Sequence, residues 1–115
     1  MIIHMILKKE DADIIYWRSF LPPKQFGRFV NYILEAEHKG AIALLPVPEE
    51  WGVGDAPVDL RFSVKLAGAK ELVNILPTRK KSATIKEIIR KHLQVNIARA
   101  EQIAKHTDEY EGRYE

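Results

Sequence analysis

A chain of 115 residues with 46% hydrophobic content can build one modest core but not two, so a single domain spanning 1–115 is expected. It has no cysteine, which excludes a disulfide framework and a thiolate metal site. The formal charge of +2 is unevenly spread: residues 1–58 carry 6 Lys/Arg against 8 Asp/Glu, residues 59–106 carry 11 against 4, and residues 107–115 carry 1 against 4, so the middle block points to an anionic partner.

The apolar run at the N-terminus is interrupted by His4 and followed at once by Lys8, Lys9, Glu10 and Asp11. It has neither the layout of a secretory signal nor the length of a membrane span, and a soluble, cytoplasmic protein without membrane contact is expected. Residues 2–8 alternate as a half-buried strand, with Ile3, Met5 and Leu7 on one face and His4, Ile6 and Lys8 on the other. A helix is predicted over 10–20, its acids suiting the positive end of the dipole, and Pro22-Pro23 stops it by removing backbone donors. A second helix is predicted over 24–37, where Phe26, Phe29, Val30, Ile33 and Leu34 form a broad apolar stripe, with Gly40 beyond its end.

Residues 38–58 hold three prolines and three glycines and read as a linker, with a short apolar patch at 41–45 that can dock as an edge strand or a staple. After it the first unit recurs. Leu60, Phe62 and Val64 alternate with Arg61, Ser63 and Lys65, matching the first strand at an offset of 57, core face to core face and polar face to polar face. A short helix over 67–76 is again followed by a proline, Pro77. The next helix aligns with the second at an offset of 56, setting Phe29 against Ile85 and Ile33 against Ile89. Its start lies within 79–84, where Ser82 and Thr84 are N-cap candidates and Thr84 and Glu87 have capping-box spacing. Arg79, Lys80 and Lys81 beside open backbone N–H groups make an anion site there. Ile97 and Ile103 continue a weaker periodicity, so the helix reaches about His106 or breaks near Val95 and Asn96. An acidic, frayed tail follows from Thr107.

Two copies of strand, helix, turn and helix, with a polar strand face and a basic start to a long helix, resemble the ribbon-helix-helix family of DNA-binding proteins, which includes the Arc and Met repressors. The resemblance covers residues 2–37 and 59–94. It implies an α+β, mainly helical fold: two ribbon-helix-helix units in one chain as a single-chain pseudo-dimer, a two-stranded antiparallel ribbon, four helices and a C-terminal helical extension over 95–115. It further implies sequence-specific binding of double-stranded DNA in transcription regulation or plasmid partition and maintenance. The ribbon enters the major groove, with His4, Ile6, Lys8, Arg61, Ser63 and Lys65 toward the bases and Lys24, Arg79, Lys80, Lys81 and Ser82 toward phosphates. The two strands differ, so a non-palindromic target is expected, and the richer cation set of the second unit is expected to dominate affinity. The rival expectation is a protein-interaction module on the same scaffold, antitoxin-like or adaptor-like, with a partner or a second copy on the C-terminal helix.

Other features have plainer explanations. Trp17 and Trp51 suit packing, the Glu35, Glu37 and His38 cluster suits a solvated helix end rather than a metal site, and His92 suits a hydrogen-bonded structural role. No glycine-rich phosphate loop or paired-histidine motif is present, and Ser19, Ser63 and Ser82 fit a helix, a ribbon and a cap. No catalytic residue, metal or cofactor is expected.

Overall fold

The computed structural model describes residues 1–112, with side chains as far as His106. It is an α+β, mainly helical fold in which β1 (Ile2–Leu7), α1 (Ala12–Phe20) and α2 (Phe26–His38) precede β2 (Val58–Ser63), α3 (Ala67–Ile75) and α4 (Lys81–Gly112). β1 and β2 pair antiparallel as a two-stranded sheet, with Ile3 opposite Phe62, His4 opposite Arg61 and Met5 opposite Leu60. A bond from Val64 N–H to the Met1 carbonyl extends the ladder by one pair.

The expected alternation sets the faces of this ribbon. Ile3, Met5, Leu7, Leu60, Phe62 and Val64 are each at most 8% exposed, and their intervening neighbours face solvent. A slip of β2 by one residue would turn Leu60, Phe62 and Val64 outward and bring Arg61 in. At about 1.5–3 kcal/mol per large apolar side chain, those three cost about 5–9 kcal/mol, comparable with the whole stability of a small domain. Register is therefore set by burial.

Below the ribbon, Ile14, Trp17, Val30, Ile33, Leu34, Val73, Ile85 and Ile89 are buried in one continuous cluster with the strand residues. α1 ends before Pro22-Pro23, and Lys24 turns the chain in the left-handed region at φ 66°, a conformation glycine would take without strain. Gly40, at φ 71°, closes α2 as expected. Gly68 lets α2 and α3 approach: a Cβ there would lie 2.5 Å from the Glu35 carboxylate, which accepts the Ala69 N–H at 3.0 Å in the first turn of α3.

Several expectations need correction. Both first-half helices begin two residues later than expected, because a 3-10 turn over Lys9–Asp11 precedes α1 and the Lys24 turn precedes α2. Ser82 and Thr84 are not caps: a 3-10 turn over Thr78–Lys80 runs straight into α4 at Lys81, leaving both hydroxyl residues inside the helix. Of the two alternatives for α4, the unbroken helix is the one found: it passes Asn96 and continues to Gly112, so the C-terminal helical extension is the end of α4 itself. The acidic side chains from Thr107 onward lie outside the described residues. The long helices match in burial at an offset of 59 rather than 56, pairing Phe26 with Ile85, Val30 with Ile89 and Leu34 with Leu93, because α4 gains a turn at its start.

The linker is neither loose nor a strand. Its apolar patch docks as a strap on α4, where the Asn96 amide accepts Leu45 N–H at 3.0 Å and donates to the Ala43 carbonyl at 2.8 Å. His92 Nδ1 accepts Ala43 N–H at 3.1 Å, which places the ring proton on Nε2, 2.9 Å from Glu37. Trp17 fixes the next turn by donating to the Pro46 carbonyl at 2.9 Å. The strap thus satisfies its own backbone on polar groups one helical turn apart. Trp17 and His92 are structural, as expected, but Glu35, Glu37 and His38 are more than a solvated end: they reach Ala69, Lys91 with His92, and Glu71 respectively.

Candidate nucleic-acid interface

The open face of the ribbon is built by its register. Ile2, His4 and Ile6 from β1 alternate outward beside Asp59, Arg61 and Ser63 from β2. Ile2 is 70% and Ile6 43% exposed, so Ile6 stands on the outward face that the alternation assigns it. Lys8 and Lys65 lie just past the strand ends, both exposed. At each strand-to-helix junction a side chain from a long helix takes hold. Asn31 of α2 accepts Lys65 N–H at 2.7 Å and donates to the Ser63 carbonyl at 2.9 Å. On the other side Lys86 and Arg90 of α4 bind Asp11, whose carboxylate also accepts Lys8 N–H at 2.9 Å. Asp11 is buried, and burial alone would raise its pKa; the Lys8 N–H and the two cations outweigh that and hold it below the ordinary carboxylate range.

Beside β2 runs a groove of about 670 Å³, lined by β2, the α1–α2 turn and the first half of α2. Leu21, Phe26 and Phe62 make its floor. Arg18, Lys24, Arg28, Arg61 and Lys65 stand on it, and no carboxylate is among the lining residues. Five cations on one wall and one strand edge form a positive track continuous with the ribbon's outer face. Arg28 is held by its Nε–H to the Tyr32 hydroxyl at 2.8 Å and lies over the Tyr32 ring. The sequence-predicted residues Lys24, Arg61, Ser63 and Lys65 are brought together here. Arg79, Lys80, Lys81 and Ser82 are not part of this groove; they occupy the 3-10 turn and first turn of α4.

Scans against protein-family models, curated proteins and solved structures match nothing to this chain. The site therefore rests on its own geometry. Three of its residues went unsingled by sequence reasoning. Arg18 and Arg28 belong to α1 and α2, and only the fold brings them to the same groove as Arg61. Asp59 was visible in the alternation, since any residue two before Arg61 must share its face. In the other direction, the basic excess of 59–106 is partly spent inside the fold, because Lys86 and Arg90 pair with Asp11 and Lys91 pairs with Glu37. Among the described residues no group of His, Asp and Glu is disposed to hold a metal, and no helix is long and apolar enough to cross a membrane.

Proposed function

We propose that the chain is a sequence-specific double-stranded DNA-binding protein that lays the β1–β2 ribbon in the major groove. The observation that carries this reading is a ribbon with one face sealed by helices and the other presenting His4, Ile6, Arg61 and Ser63, flanked by a carboxylate-free groove of five cations. A major groove admits a two-stranded ribbon, where arginine pairs with guanine and an isoleucine meets a thymine methyl. Lys8 and Lys65 extend the reach at the two strand ends. Lys24 with Arg18 and Arg28 on one flank, and Arg79, Lys80, Lys81 and Ser82 at the start of α4, take phosphates. The first unit thereby contributes more phosphate contacts than its sequence alone suggests.

The reciprocal junction contacts support a ribbon-helix-helix pseudo-dimer in one chain. Asn31 and Arg90, related by the same offset of 59 that matches the buried positions, each hold a strand-to-helix junction. A cytoplasmic regulator or partition protein is the role such a scaffold fits.

The test is fluorescence anisotropy on labelled duplexes across a salt series. The six cations among those phosphate contacts give a log–log slope of about −5, so affinity should fall about a thousandfold between 50 and 200 mM salt. Arg61→Ala with Lys65→Ala should abolish duplex binding. Absence of duplex binding even at low salt would overturn the proposal. A second reading, a protein-interaction module, is favoured by Asp59 and the 70% exposed Ile2 on the ribbon face, and by the exposed C-terminal half of α4, where Ile103 is 67% exposed. Under it the same alanine pair leaves a captured protein partner bound.

A further inference from the structure

The alternation that turns Arg61 and Ser63 outward turns Asp59 outward as well, and its side chain is 66% exposed. Asp59 faces Ile6 across the ribbon, and on the diagonal its Oδ1 lies 2.5 Å from His4 Nε2. A carboxylate here weakens attraction to any polyanion. The fold does not ask for it: both partners sit on the solvent side, His4 being 46% exposed, where an ion pair adds little to stability. His4 occupies one carboxylate oxygen, and Oδ2 is left to accept a hydrogen bond.

In the major groove only cytosine N4 and adenine N6 donate; guanine and thymine present acceptors that repel a carboxylate. Adenine sets its donor beside the N7 acceptor, whereas the cytosine edge offers the amino group without an adjacent acceptor. We infer that Asp59 is a specificity-determining residue that selects cytosine, oriented by His4, and that it trades general affinity for discrimination. The inference rests on the DNA reading and names which base its ribbon demands. It also gives the device its character: a repulsive element against wrong sequences as well as an attractive one for the right sequence. Residues two apart on one strand face are about 6–7 Å apart, so the cytosine falls one or two base steps from the guanine taken by Arg61.

The experiment is selection from a randomised duplex pool with the full chain as wild type, Asp59→Asn and Asp59→Ala, each checked for an unchanged far-ultraviolet circular dichroism spectrum. The wild type should enrich cytosine at one position beside a guanine. Asp59→Asn is isosteric, keeps a partner for His4 and should move that position to adenine, which asparagine reads through N6 and N7. Asp59→Ala should erase a preference of about 5- to 150-fold at that position alone. It should also tighten binding to random duplex and leave the salt slope unchanged, because no phosphate contact is removed. A wild-type motif returned unaltered by both variants overturns the role of Asp59 and leaves DNA binding standing. A wild type that enriches no motif at all overturns both.

Discussion

Replacing Asp11 by alanine tests how the two halves of the chain are joined. The carboxylate is 1% exposed and accepts from Lys8 N–H, Lys86 Nζ and the Arg90 guanidinium, partners up to 79 residues away. Lys86 is itself only 14% exposed, so the variant leaves a mostly buried ammonium without its counter-charge and a backbone N–H without its acceptor. Breaking a buried pair from one side costs about 3–5 kcal/mol. For a domain of this size that lowers Tm by about 12–20 °C. Urea denaturation followed by the fluorescence of buried Trp17 measures it directly. The pH dependence has a definite sign. The folded pKa of Asp11 is depressed, so its stabilisation is fully present above the unfolded value near 4 and disappears as pH falls through the folded one. The gap between wild type and Asp11→Ala should therefore be widest near neutrality and narrow in acid. A loss below about 1 kcal/mol at pH 7, or a gap independent of pH, would refute the reasoning.

Other substitutions separate stability from binding. Lys24→Gly relieves a left-handed backbone and should stabilise the fold by about 1 kcal/mol in thermal melts, while making the salt slope of duplex binding shallower by about 0.9. Arg18→Ala with Arg28→Ala should flatten that slope by about 1.8 without changing the preferred sequence, since phosphate contacts carry no base information. Asn96→Ala strands the buried Leu45 N–H and Ala43 carbonyl and should cost about 2–4 kcal/mol in denaturant titration, with hydrogen exchange quickening first at 43 and 45. Gly54→Ala sets a Cβ 2.2 Å from Ile15 Cγ2 and 2.9 Å from the Tyr16 backbone nitrogen, and should destabilise by about 1–3 kcal/mol. Glu37 behaves as Asp11 does: burial opposes its ionisation, His92 and Lys91 more than offset that, and its pKa is lowered. Glu37→Gln should accordingly flatten the loss of stability on acidification below about pH 4.

The ribbon was legible in the sequence because alternation is a local signal. Met5 and Phe62 each declare a face without reference to the rest of the chain, and burial of that face then allows one register. Turns were legible at Pro22-Pro23 and Gly40 for the same reason. The start of α4 was misread because Ser82 and Thr84 have the chemistry of caps, but Pro77 launches a 3-10 turn that leaves the helix no free end at either. The strap was out of reach. Its hydrogen bonds run from Ala43 and Leu45 to His92 and Asn96, about fifty residues on, and nothing near 43–45 announces such partners. The groove was half-visible: Arg61 and Lys65 belong to the polar alternation, whereas Arg18 and Arg28 acquire meaning only when the fold sets them along the groove beside β2.

α4 starts at the basic turn after Pro77 and runs without interruption for 32 residues, about 48 Å of helix at 1.5 Å per residue. Among its described side chains the buried ones end at Asn96, and those from Ala98 to His106 are exposed. A shaft of this length is stiff, so any cargo bound near His106 would be kept at a set range and compass bearing from the ribbon. Adding one residue between 98 and 106 would swing such a cargo by about 100° while shifting it only about 1.5 Å, so any assembly built on that shaft should notice rotation before length.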